Sequence, residues 1–185
     1  MAITSYASRS RGGKGQEDMW AVANLCRRAG ITTYNCMQAG AQENWKVCWF
    51  GKQPEAKLAL VFLDEAYFES EGCVEELMAI IYTRQPFVPI NFGVTWPFLQ
   101  SDFLGKVYGS DATKMKQKQH TIRQFLGNVF PSFDQGFMTS KKSSRAFDGA
   151  QWEQNADQLL VEIRKKLDER SLRKAEKTAE DTQSL

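Results

Sequence analysis

This sequence predicts an α/β fold of three layers, with helices on both faces of a parallel sheet. Three observations support that. Short β-like runs alternate with helical patterns at a spacing suited to strand–helix–strand units. The runs are continuously apolar rather than alternating, as strands covered on both faces are. The chain has 185 residues, enough for one domain that buries a core of its own without staples.

The first run is Ala2 to Tyr6. Residues 16–29 then place Met19, Val22, Ala23 and Cys26 at i, i+3, i+4 and i+7, with Gly30 as the helix C-cap. Ile31 to Tyr34 is rich in β-branched residues and reads as the second strand. A helix over 44–56 carries Trp45, Cys48 and Trp49 on one side. Leu58 to Leu63 is a continuous apolar run, the third strand, and a helix over 71–83 follows with Cys73, Leu77, Ile80 and Ile81. Phe87 to Asn91 is the fourth strand. Right-handed crossovers leave few topologies. We expect the flavodoxin-like one, a parallel five-stranded sheet in the order 2-1-3-4-5, with its ligand crevice at the carboxyl ends of the strands.

Beyond residue 92 the pattern weakens. Phe92 to Lys106 reads as a Gly- and aromatic-rich loop, and 111–126 as a polar helix containing His120. Asn128-Val129-Phe130 is the best candidate for a fifth strand, and 131–148 reads as loop. The last helix starts near Gln151 and aligns Trp152, Ala156, Leu159, Leu160, Ile163 and Leu167 on one stripe. The stripe stops near Asp168, and the mixed charges beyond it suit a frayed or disordered tail. The expected division is a domain over 1–170 and a charged tail over 171–185.

Composition narrows the function. Hydrophobic residues make up 42% and charged residues 25%, and the formal net charge is +2. That balance gives no electrostatic reason to expect nucleic acid as a partner. Cys26, Cys36, Cys48 and Cys73 form no CxxC pair, and His120 is the sole histidine, so no metal site is expected. Scattered thiols suit a reducing compartment. The N-terminus lacks the apolar run of a signal peptide, and no stretch reaches the roughly 18 apolar residues of a membrane span. A cytoplasmic location without membrane insertion is the expectation.

The chemistry is concentrated in Leu58 to Tyr82, LALVFLDEAYFESEGCVEELMAIIY. A buried strand runs through an acidic loop into a helix for which Ser70 is a good N-cap. At about 100° per residue, Cys73, Glu76, Leu77 and Ile80 share one face, and Glu75 points away toward solvent. Glu75 therefore reads as a surface carboxylate. Glu76 sits among apolar neighbours, where an acid is either paired with a base or functional, because an unpaired buried charge is costly.

Three stretches resemble TIR domains. Ile3-Thr4-Ser5-Tyr6-Ala7-Ser8 resembles the family's first box, F-I-S-Y-x-S. Leu63-Asp64-Glu65-Ala66-Tyr67 followed by Ser70-Glu71-Gly72-Cys73-Val74-Glu75-Glu76-Leu77 resembles its LS-x-x-Y turn and S-x-x-C-x-x-E-L helix. Phe87-Val88-Pro89-Ile90, then Val94-Thr95-Trp96-Pro97, resembles the fourth strand and exit of the animal NAD-cleaving members. Together they span residues 2 to about 100. In the enzymatic members the catalytic glutamate directly precedes the Leu or Ile of that helix, which maps onto Glu76. One departure stands out: many members carry Trp before the Cys, and this chain has Gly72.

The resemblance implies cleavage of the nicotinamide–ribose bond of NAD. Nicotinamide leaves from a cationic nitrogen, so it departs neutral and needs no general acid. One carboxylate can stabilise the oxocarbenium-like transition state, unlike ordinary glycosidases, which use a pair. NAD is then the substrate, and no further cofactor is expected. The expected substrate-binding residues are Ser8, Arg9, Tyr34, Trp45 and Cys73. Arg9 leads the basic, Gly-rich stretch Arg9 to Gly15, which suits phosphate as well as a plain solvated loop, and which is not a P-loop. Cys36 to Asn44 corresponds to the family's BB loop, with Trp45 as the nearest aromatic and Tyr34 as second choice to stack on a ligand ring. Trp45 equally suits core packing from the second helix. Self-association with other TIR domains is the implied partnership.

Two other functions compete. A non-catalytic TIR adaptor would keep the fold and use Glu76 structurally. A phosphorelay receiver would use Asp64 at the end of the third strand, but its Mg²⁺-holding acidic pair is missing after the first strand, where Ala7, Ser8 and Arg9 stand.

Overall fold

The computed structural model describes residues 1–7, 15–35, 44–91, 94, 101–108, 111–127 and 156–169. Its sheet has four parallel strands, β1 (Ala2–Ser5), β2 (Thr33–Tyr34), β3 (Leu58–Leu63) and β4 (Phe87–Asn91), in the order β2-β1-β3-β4. The register sets Ala2 against Thr33 and Leu58, Ser5 against Val61, and Leu63 against Asn91. All six residues of β3 are buried, as a central strand between two helical layers requires. The expected order is thus present for four strands. The fifth-strand candidate at 128–130 and the tail from 170 lie outside the described residues.

Helix α1 (Gly15–Arg28) follows β1, α2 (Trp45–Lys52) precedes a 3₁₀ turn at Gln53–Glu55, and α3 (Glu65–Phe68) is a single turn after β3. Then come α4 (Glu71–Tyr82), α5 (Gly105–Tyr108), α6 (Ala112–Gly127) and α7 over 156–169. Two cores flank the sheet. Met19, Val22 and Cys26 of α1 and Leu159 and Ile163 of α7 pack on one face against Leu58, Leu60 and Phe62. Trp49 of α2, Leu77 and Ile80 of α4 and Ile122 of α6 pack on the other against Ile3, Ala59 and Val61. Alternate residues of β3 therefore serve opposite layers.

Helix ends follow the local chemistry. Gly30 has φ +75° and closes α1, with Ile31 N–H donating to Cys26 O at 2.9 Å, a Schellman arrangement that suits glycine. The sequence reading differs in four places. The second strand is only two residues long, and α2 ends at Lys52 because Pro54 in the next turn cannot continue the α-helical ladder. The region expected as loop to Lys106 contains the start of α5, whose four residues are too few to show a helical period. The side of α2 expected to carry Trp45, Cys48 and Trp49 together splits, for Trp49 is fully buried and Trp45 is exposed.

Candidate functional site

Three side chains converge at the carboxyl ends of β1 and β3, where the chain order reverses across the sheet. That crevice is where open α/β sheets place ligands. Ser5 ends β1. Tyr67 is held in α3 by Asp64, whose carboxylate caps the turn and accepts from Tyr67 N–H at 2.9 Å. Glu76 lies in the second turn of α4, which Ser70 caps by accepting from Cys73 N–H. Ser5 Oγ donates to Glu76 Oε2 at 2.5 Å and lies 2.5 Å from the Tyr67 hydroxyl. A serine has one proton to give. When Glu76 is ionised, Tyr67 therefore donates to Ser5 and Ser5 to Glu76. When Glu76 is protonated, the chain can run the other way.

Glu76 is 4% exposed. Burial pushes its carboxyl up to about 8; the Ser5 hydrogen bond works against that, and the neighbouring Glu75 charge adds to it. At neutral pH the resting site therefore holds a largely protonated acid. Burial likewise raises the Tyr67 phenol well above its ordinary value. Cys73 is buried beside this chain, with Sγ 3.4 Å from Tyr6 O, so it ties α4 to the end of β1. Trp49 does the same from α2, its Nε1 donating to Thr4 O at 2.9 Å.

Glu75 differs from its neighbour as the helical geometry requires, although it does not simply face solvent. Its side chain is 26% exposed and pairs with Lys46 of α2. Trp45 is 42% exposed and lies against Gly72. A Cβ at Gly72 would stand 2.3 Å from Trp45 Cη2 and 2.9 Å from Cζ2, closer than atoms pack. The indole thus fills the space that a side chain at 72 would occupy. Tyr34 is half-buried in β2, with its backbone carbonyl accepting from Thr4 Oγ1 at 3.3 Å.

Of the residues expected from sequence, Glu76 and Cys73 come together at the strand ends, and Trp45 reaches the same helix from α2. Ser8 and Arg9, with the rest of the basic stretch through Lys14, lie outside the described residues, as does 36–43 of the BB loop. Ser5 and Tyr67 stand within the motifs quoted above but were not among the expected site residues. The signal for Ser5 is a hydroxyl at the end of a buried strand, where a polar atom needs a partner. Asp64, the conceivable phosphoacceptor, instead caps α3. Among the described residues no group of three His, Cys, Asp or Glu side chains is placed to hold a metal ion, and no helix is long and apolar enough to cross a membrane.

No family model matches the chain, and no curated protein matches it. Among solved structures, the TIR domains in the structure of the activated Roq1 resistosome directly recognizing the pathogen effector XopQ do match. The TM-score is 0.53 at 15% identity, over 68% of this chain and 82% of that one. The fold is that of a TIR domain. At that identity the match speaks for the TIR architecture, and the reading of Glu76 rests on its own geometry and on the motifs around it.

Proposed function

We propose that this TIR domain is an NAD glycohydrolase in which Glu76 is the catalytic carboxylate. The observation that carries the reading is a lone acid, 4% exposed, at the ligand crevice of the sheet, bonded to a serine–tyrosine pair rather than to a base among the described residues. Burying such an acid opposes folding, so its presence calls for a use.

The chemistry follows from the charge. NAD brings a cationic nicotinamide ring, and a cation beside Glu76 favours its ionised form. Ser5, backed by Tyr67, then donates to the carboxylate and fixes its orientation. The C1′–N bond breaks with its electron pair passing to the nicotinamide nitrogen, which becomes neutral. Positive charge moves to the ribose, where the Glu76 carboxylate stabilises it. Water adds to C1′ and loses a proton to solvent, giving nicotinamide and ADP-ribose. Attack by a nitrogen of the adenine ring instead would give a cyclic isomer. Arg9 and Ser8 would serve the phosphates, Tyr34 and Trp45 the rings, and Cys73 the seating of the helix.

A second reading has its own support. Protonated Glu76 can be satisfied by Ser5 within the fold, and the matched TIR domains belong to a resistosome. This domain would then be a cytoplasmic adaptor acting by TIR–TIR association. Either reading suits cell-death or immune-type signalling. Product analysis by HPLC of purified protein with NAD, at low and high protein concentration, separates them. The enzyme reading expects nicotinamide release that rises per molecule as association increases. No nicotinamide at any concentration would leave the adaptor.

A further inference from the structure

A residue from another helix packs against the turn of α4 that precedes Glu76. In an α-helix each Cα–Cβ bond leans toward the N-terminus, so a long side chain lies over the turn before its own Cα. Glu76 therefore leans over the turn that holds Gly72 and Cys73. Position 72 has no side chain, which alone would leave a notch in that turn. Trp45 fills that notch from α2, as the 2.3 Å and 2.9 Å approaches to an ideal Cβ at 72 show. The ring is held there by its own helix start. Asn44 caps α2, accepting from Lys46 N–H at 3.0 Å, and Lys46 pairs with Glu75 on α4. Cap, ring and ion pair thus fasten the first turn of α2 to the first two turns of α4.

We propose that Trp45 is a positioning residue for Glu76, its indole seated in the Gly72 notch to keep water from the carboxyl. The residue acts through Glu76, and this deepens the proposed function by naming what controls the charge of the same site. Among the described residues, the other titratable and charged groups around Glu76 are Tyr67 from α3, Cys73 and Glu75 on α4, and Lys46 of α2, which faces Glu75. Replacing Trp45 removes none of them, so a change in Glu76 reports the ring itself.

The test is an NMR titration of the Glu76 side-chain carboxyl in ¹³C-labelled protein, its signal identified by loss in Glu76→Gln. Trp45→Ala empties the notch, and Gly72→Ala evicts the ring while leaving it in the chain. Each should move the Glu76 midpoint down by about one pH unit or more, as water reaches the carboxyl. Val47→Ala, on the exposed side of α2, should leave it in place. Either Trp45→Ala or Gly72→Ala decides alone if the other fails to fold. A folded variant with the wild-type midpoint overturns the proposal, and so does an equal shift in Val47→Ala, which would mean that loosening α2 suffices. The titration needs no turnover, so a wild type that leaves NAD intact would refute the enzyme reading and leave this result standing.

Discussion

Replacing Glu76 by Gln should stabilise the protein, and by an amount that depends on pH. The glutamine keeps the shape and the hydrogen-bonding groups of the protonated acid and cannot ionise. In the unfolded chain the carboxyl titrates near its ordinary value of 4.5, and burial in the fold pushes it up to about 8. Between those values the native state holds the proton and the unfolded state releases it, so the acid's contribution to stability falls as pH rises through that window. Below 4.5 both states are protonated and wild type and variant should match. From 4.5 to 7 is two and a half units at about 1.4 kcal/mol each, which puts the glutamine variant ahead by about 3 kcal/mol at pH 7. The gap should widen to pH 8 and then level off. Urea unfolding of both proteins at pH 4, 7 and 9 measures it, since the difference cancels every other titrating group. A gap independent of pH would show that Glu76 titrates in the fold as it does in the unfolded chain, and a variant less stable than wild type at pH 9 would show that Glu76 is charged and paired in the fold; either result removes the case for a buried functional acid.

Ser5→Ala should raise the apparent pKa of kcat/KM for NAD cleavage above that of the wild type, because the hydrogen bond that is lost favours the carboxylate; a pH–rate profile shows it, and an unmoved profile refutes the role given to Ser5. Trp49→Phe keeps most of the ring but abandons the Thr4 carbonyl, and should cost about 1–3 kcal/mol in urea unfolding. A loss near zero would mean that this bond does not fasten α2 to β1.

Much of the fold is legible in the residues. The unbroken apolar run Leu58–Leu63 and its β-branched and apolar companions identify the sheet, because a strand covered on both faces admits few polar residues. The glycine after α1 marks its end because only that residue adopts φ +75° without strain. The helical period separates Glu76 from Glu75 correctly, and Glu76 is indeed buried while Glu75 is partly exposed. Other features were beyond reach. Whether Trp45 or Trp49 enters the core depends on how α2 lies against α4, which no local pattern encodes. That Gly72 is a seat for Trp45 is likewise a contact between helices; the sequence shows only a missing side chain. The Ser5–Tyr67–Glu76 chain joins residues 62 and 71 positions apart, and spacing within one element says nothing of such a meeting.

The central claim is that the charge of Glu76 cleaves NAD, and one comparison tests it most directly. Wild type, Glu76→Gln and Glu75→Gln are incubated with NAD at high protein concentration, and nicotinamide is measured by HPLC. The two acids are adjacent and chemically identical, so they differ only in where the helix places them. Losing one preorganised electrostatic interaction of this kind lowers rates on the order of 10²–10³-fold. Nicotinamide should accumulate with wild type and Glu75→Gln and fall at least a hundredfold with Glu76→Gln, whose folding the urea experiment checks. Turnover by Glu76→Gln at the wild-type rate would contradict the account.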